Sequence, residues 1–204
     1  MEHVCLDLEG VLIPEIWAEV AEYTGEEQFK LTTQDLKDYS ELMDMRINLV
    51  ESIGLSFSEI QSLVDKMEPF DGAREFIDWV RDNFQLTIVS DSFYELAWPL
   101  LRKLGTPAIN CHYLDIENDK LKGYTLRQLE NKKKVVQSLK NMKFKVFASG
   151  DSYNDIQMLQ EADLGVFFQA PKHIREEFKE IDGVESHNEL KNLLIENSNF
   201  IGRT

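Results

Sequence analysis

The chain has 204 residues, 43% of them hydrophobic, enough for one domain with a full core or a core plus a small insertion. Its 37 acids against 22 bases give a formal charge of -15, a field that repels nucleic acid and anionic membrane and excludes both as expected partners. Two cysteines, Cys5 and Cys111, give no disulfide framework or thiolate metal site. No basic-then-apolar leader and no membrane-length apolar run is read, so the expected location is cytoplasmic. The charge also repels an anionic small substrate, so a phosphate site here needs a local cation or a bound metal.

Val4-Cys5-Leu6 predicts a strand buried on both faces, ended by Asp7, Glu9 and Gly10. In extended backbone, side chains at i and i+2 point the same way, so Asp7 and Glu9 share a direction. The carboxyl end of such a strand is where open α/β sheets bind ligands. The alternative is a polar turn with two solvated acids. Pro14 and the recurrence of Ile16, Trp17, Val20 and Ala21 predict a short helix ended by Gly25. A polar stretch, Thr32 to Asp38, leads to a second helix around Tyr39 to Ile53, with Gly54 as its stop. Ser56 is placed as the cap of a third helix carrying Ile60, Leu63, Val64 and Met67, and Glu59 completes a capping box. Arg46 shares the face of Leu42, Met43, Leu49 and Val50. It either snorkels with its head in water or aims its fork at an anion.

From Asp71 onward strand and helix alternate. Ala73, Phe76, Ile77, Val80 and Phe84 mark a helix, and Leu86 to Ser90 a strand. Asp91 and Ser92 are read as opening a helix that runs to about Leu104. A strand near Ala108 to Cys111 follows, then a hairpin over His112 to Leu126 around Glu117-Asn118-Asp119-Lys120. A helix begins near Asn131. The strand Lys145 to Ser149 leads into the turn Gly150-Asp151-Ser152-Tyr153-Asn154-Asp155, with a helix starting near Asn154. Leu164 to Phe168 is the last clear strand, followed by polar helices. This alternation predicts an α/β fold, a doubly wound, mostly parallel Rossmann-like sheet with helices on both faces. The all-helical stretch from Pro14 to Pro69 reads as an inserted cap above Asp7. The expected division is residues 1–13 and 70–204 for the α/β core and 14–69 for the helical cap.

In a parallel sheet, Asp7/Glu9, Ser90/Asp91 and Gly150-Asp151 all end on one edge. Asp7 and Asp151 offer the hard oxygens that Mg²⁺ takes. Ser90 offers a hydroxyl and nearby N–H groups to a phosphate, or caps a helix. Asp151 and Asn154 alone read equally as a turn and a cap. Of Lys132-Lys133-Lys134, Lys132 shares the face of Val135, Val136 and Leu139 and reaches inward, while its neighbours face water.

This set resembles the haloacid dehalogenase superfamily of phosphotransferases. Asp7-Leu8-Glu9-Gly10-Val11-Leu12 looks like its first motif, Ser90 its second, Lys132 its third and Gly150-Asp151-Ser152-Tyr153-Asn154-Asp155 its fourth. The helical insertion is similar to the cap of phosphoserine phosphatases. Two departures, Glu9 in place of Asp and Asp91 in place of Gly, together with Pro14-Glu15-Ile16-Trp17, resemble the bifunctional phosphoserine phosphatase/homoserine phosphotransferase group. The resemblance implies Asp7 as nucleophile, Glu9 as general acid and base, and Lys132 as the phosphate-binding cation. It implies Mg²⁺ held by Asp7, Asp151 and the Glu9 main-chain carbonyl. It implies Glu15 and Arg46 on the amine and carboxylate of phosphoserine or homoserine, with Ser90, Asp91 and Asn154 at the phosphoryl side. The alternatives are a phosphatase of another small phosphomonoester and a receiver-like phospho-acceptor without turnover. Oligomeric state stays open, a homodimer included.

Overall fold

The apolar start of the chain becomes the central strand. β1 (Glu2–Leu6) is buried along its whole length. It pairs in parallel with β2 (Gln85–Phe93) on one side and β5 (Lys145–Gly150) on the other. β3 (Ile109–Glu117) and β4 (Lys120–Thr125) extend the β2 side, and β6 (Leu164–Phe168) and β7 (Asp182–Val184) the β5 side. The seven strands run in the order β4-β3-β2-β1-β5-β6-β7, all parallel except the β3–β4 hairpin. The computed structural model describes residues 1–32, 35, 36 and 38–201; within the expected polar stretch, Thr33, Gln34 and Lys37 lie outside the described residues.

Side-chain alternation along β1 sends Val4 and Leu6 into one core and Cys5 into another, so the sheet is covered on both faces. α4 (Ala73–Asn83), α5 (Tyr94–Lys103) and α9 (His187–Asn197) pack on the Val4–Leu6 face, and α6 (Asn131–Asn141) and α7 (Ile156–Glu161) on the Cys5 face. α8 (Lys172–Glu177) buries Ile174 in the same layer as Cys5. The Cys5 thiol is pushed up to about 12 by burial, which suits a small core hydrophobe rather than a nucleophile.

Two sequence boundaries shift. β2 does not stop at Ser90 but runs to Phe93, and α5 starts at Tyr94 rather than at Asp91 and Ser92. The Ser90 hydroxyl accepts from the Ser92 N–H at 3.1 Å, so it serves the strand end instead of capping a helix. β3 is one strand through Cys111 and His112 into the hairpin, because its first half pairs with β2 and its second half with β4. The edge strand β7 has three residues and no apolar run to announce it.

Between β1 and α4 lie α1 (Ile16–Thr24), α2 (Tyr39–Ser52) and α3 (Phe57–Val64). α3 has the expected capping box between Ser56 and Glu59. Its other leading donors reach across to the hairpin turn. The Phe57 N–H donates to the Asp119 carbonyl at 2.9 Å, and the Ser58 N–H to Asp119 Oδ1 at 2.8 Å. Ser58 Oγ adds a bond to Asp119 Oδ2 at 2.7 Å. Asn118 and Asp119 hold φ of 50° and 63°, the left-handed pair that a two-residue hairpin demands. Asp119 thus closes a turn and caps a helix at once. An Asp119→Ala variant is expected to lose about 1–3 kcal/mol of stability, measured by urea unfolding, from the lost cap and the less tolerated φ.

Candidate active site

The parallel register fixes what meets at the carboxyl edge. Leu6 lies opposite Ile88 on β2 and Ser149 on β5, so Asp7, Ser90 and Asp151 emerge together. The Asp7 N–H continues the ladder by donating to the Ser149 carbonyl at 2.9 Å. α6 delivers Lys132 from the opposite side, buried on the face of Val135, Val136 and Leu139, while Lys133 and Lys134 are partly exposed. Asp7, Glu9, Glu15, Arg46, Ser90, Asp91, Lys132, Asp151 and Asn154 all line one cavity of about 180 Å³. The structure brings every expected site residue to that cavity.

Lys132 is its centre. Its ammonium lies 2.7 Å from Asp7 Oδ2, 2.7 Å from Asp155 Oδ1 and 3.9 Å from Asp91 Oδ2. Burial pulls its pKa down, but Asp155, Asp7 and Asp91 outweigh burial and hold it well above the usual lysine value. Asp7 is raised well above the carboxylate range by burial and by Asp155, with Lys132 offsetting part of this. Asp151 is raised to about 7 by burial and the Asp155 charge. Asp91 goes the other way: burial would raise it, but Lys132 and His112 lower it.

Asp155 joins the same cluster, though the sequence assigns it no role. It closes the fourth motif, is fully buried, and accepts from the Asp151 N–H, the Ser152 N–H and Ser152 Oγ, each at 3.1 Å, besides Lys132. Two glycines make room for these acids. Gly10 has φ of +76°, and a Cβ there would lie 2.3 Å from Asp151 Oδ2. A Cβ on Gly150 would lie 2.2 Å from Asp155 Cγ. Both motifs therefore need a bare backbone where they meet carboxylates.

The helices supply the far wall. Glu9 turns its carboxylate to the start of α1, accepting from the Ile16 N–H at 2.8 Å. Glu15 sits beside it, exposed at the edge of the cavity, and desolvation with the charges of Glu9 and Asp151 raises its carboxyl above the usual range. Arg46 is 9% exposed, which removes the snorkelling alternative. Its guanidinium lies 4.9 Å from the Trp17 ring centroid, and Nη2 donates to the Leu31 carbonyl at 2.8 Å. Its buried Nε has no partner among the described residues. Trp17 and Tyr39 also line the cavity, and the Tyr39 hydroxyl donates to the Asp91 carbonyl at 2.8 Å. Helical spacing places Trp17 on α1 and Tyr39 at the start of α2 and assigns neither to a site.

A parallel sheet ending in a buried acid cluster, a buried lysine and a strand-end serine defines an α/β enzyme site built to handle an anion. The model of the haloacid dehalogenase-like hydrolases matches residues 1–163, and the chain belongs to that family. It is 45% identical to phosphoserine phosphatase ThrH of Pseudomonas aeruginosa over 192 residues, 94% of each chain. It is 44% identical to a phosphoserine phosphatase of Pseudomonas syringae pv. tomato over 200 residues, 98% of this chain and 84% of that one. The crystal structure of phosphoserine phosphatase from T. onnurineus superimposes with a TM-score of 0.70 at 25% identity, covering 95% of this chain and 94% of that one. Among the described residues, no helix is long and apolar enough to cross a membrane.

The acids fit a divalent cation. Asp7, Asp151 and Asp155 each offer a carboxylate oxygen within 4.8 Å of the others, and the donor set is all oxygen. Asp7 and Asp155 each also accept from Lys132, at 2.7 Å. A carboxyl raised to about 7 is more protonated in the folded chain than in the unfolded one between pH 4 and 7. Its contribution to stability is therefore lost as pH rises through that window, and a bound cation restores it. The gain in unfolding temperature on adding excess Mg²⁺ is expected to be larger at pH 8 than at pH 6, as read by calorimetry.

Proposed function

We propose that the chain is a Mg²⁺-dependent phosphoserine phosphatase that works through an aspartyl phosphate on Asp7 and also passes the phosphoryl group to homoserine. The observation that carries the substrate class is the pairing of two ends in one small cavity. At one end lie Asp7, Lys132 and Ser90. At the other, the carboxyls of Glu15 and Glu9 lie side by side, a pair that an ammonium would relieve. Arg46 lines the same space with a guanidinium that makes no ion pair among the described residues, a site that a carboxylate would suit. A phosphate, an ammonium and a carboxylate on one small molecule describe a phosphorylated amino acid. The names of the two Pseudomonas relatives support the same reading.

On this reading residues 14–69 form the cap and the rest the catalytic core. The Asp7 carboxylate attacks phosphorus, and the bond from phosphorus to the serine oxygen breaks. Glu9 gives the departing oxygen its proton. Water, or the hydroxyl of homoserine, then attacks the aspartyl phosphate and gives its proton to Glu9, freeing Asp7. Lys132, Ser90 and Asn154 hold the phosphoryl oxygens, with Asp91 beside them. Asp7, Asp151 and the Glu9 main-chain carbonyl would hold a divalent cation, which would supply further positive charge to the transferring group. Homoserine has the same amine and carboxylate as serine and one more methylene, which a pocket resists by only about 1–3 kcal/mol.

The test is phosphate release from phosphoserine with Mg²⁺, with and without homoserine, while phosphohomoserine is tracked. Wild type is expected to release phosphate and to divert part of it to homoserine, and Asp7→Asn to do neither. Release without diversion rejects the transfer half; an inert wild type rejects phosphoserine. In the same assay Arg46→Ala is expected to lose about 2–3 kcal/mol of transition-state binding, roughly 30- to 150-fold in kcat/KM. Its activity on 4-nitrophenyl phosphate, which has no amino-acid head, is expected to change little.

A further inference from the structure

The register between β2 and β3 breaks where the phosphoryl-side residues lie. Val89 pairs with Asn110, and the next pair is Phe93 with His112. Ser90, Asp91 and Ser92 thus stand opposite Cys111 alone. Such a bulge re-aims side chains beside a site. It turns Asp91 toward Asn154 and Lys132: Asn154 Nδ2 donates to Asp91 Oδ2 at 3.2 Å, and Lys132 Nζ lies 3.9 Å from the same oxygen.

The other oxygen of Asp91 faces a buried histidine. His112 is 3% exposed, and its Nε2 lies 3.6 Å from Asp91 Oδ1. The Arg127 N–H donates to His112 Nδ1 at 3.2 Å. A ring nitrogen that accepts carries no proton, so the ring proton sits on Nε2, the nitrogen facing Asp91. The donor of this bond is itself pinned, since Arg127 Nε donates to the Cys111 carbonyl at 2.9 Å. The rings of Tyr39 and Phe93 flank the imidazole at 6.1 and 6.2 Å. These contacts hold the ring with Nε2 3.6 Å from the Asp91 carboxylate.

We infer that His112 is a positioning residue for phosphoryl transfer, holding the Asp91 carboxylate away from Lys132 and against Asn154. The inference rests on the reading of Lys132 and Asn154 as phosphoryl-binding groups. Its physical content is a competition. Lys132 is paired at 2.7 Å with Asp7 and Asp155 but stands 3.9 Å from Asp91. A third carboxylate closing on that ammonium would neutralise the charge that the phosphate needs. A polar contact to Asp91 on its far side prevents this, as an outer partner orients an inner ligand.

The test is a double-mutant cycle of His112→Phe with Asp91→Ala, on phosphoserine and on 4-nitrophenyl phosphate. His112→Phe is expected to lower kcat about tenfold or more with little change in KM. In the Asp91→Ala background the same change is expected to have almost no effect. His112→Gln, whose amide reaches the Nε2 position, is expected to recover most of the loss, and His112→Asn, which is shorter, is not. An equal loss in both backgrounds, or Gln no better than Asn, overturns the inference. If His112→Phe does not fold, the comparison of Gln with Asn in the two backgrounds decides it. A wild type inert on phosphoserine but active on 4-nitrophenyl phosphate rejects the substrate and leaves the cycle readable on the second ester.

Discussion

One buried ammonium orders this molecule. Lys132 sits between Asp7 and Asp155, with all three groups almost wholly removed from water. Each charge taken out of water alone is penalised by several kcal/mol, and the set is tolerable only because its members face one another at hydrogen-bond distance. That requirement constrains four elements at once. β1 must end at Asp7, β5 must end at the turn that carries Asp155, α6 must start with Lys132 inward, and the glycines at 10 and 150 must leave room for the acids. The balance remains short of positive charge. Asp151 and Asp91 add acids and the chain as a whole carries -15, so a cation here lowers the repulsion that an anion meets.

The helices between β1 and α4 complement that centre with charges held in tension. Glu9 and Glu15 are adjacent carboxyls, and Arg46 is a buried guanidinium whose nearest aids are a tryptophan face and one carbonyl. On the proposed reading, these groups meet the zwitterionic head of the substrate. The helices share the core of Val4 and Leu6 through Ile16, Met43 and Ile60, and polar contacts far apart in sequence add to this. Tyr39 reaches the Asp91 carbonyl, and α3 is capped by the hairpin turn at Asp119. These contacts bring residues of the helical segment to the same cavity as the strand ends.

The β2 bulge links the two halves. A regular ladder through Ser90 to Ser92 would alternate their side chains above and below the sheet. The extra residues instead leave Ser90, Asp91 and Ser92 all lining the cavity, with Asp91 touching Asn154, His112 and, through its carbonyl, Tyr39. On the proposed reading, an acid at this position adds a charge where a phosphate binds, and its network of donors offsets that charge.

Local pattern carried much of this into view. The apolar run at Val4 to Leu6, the alternation of strands and helices after Asp71 and the capping box at Ser56 depend on nearest neighbours and on the periods 2 and 3.6, which a linear sequence displays. Lys132 was separable from Lys133 and Lys134 because one helical face is a local property. The strand-end acids pointed to one edge because parallel strands leave no other choice. What stayed hidden depends on partners distant in the chain. The extension of β2 past Ser90 comes from pairing with β3, and the three-residue strand β7 exists only because β6 offers an edge. Asp119 gains its role from α3, 61 residues away, and Asp155 from a lysine on another helix. His112 looked like an ordinary hairpin residue until the bulge set Asp91 against it. The sequence by itself determined which residue types reach the catalytic edge. Only the tertiary structure decided which charges are buried together, because desolvation and pairing are properties of three-dimensional neighbours.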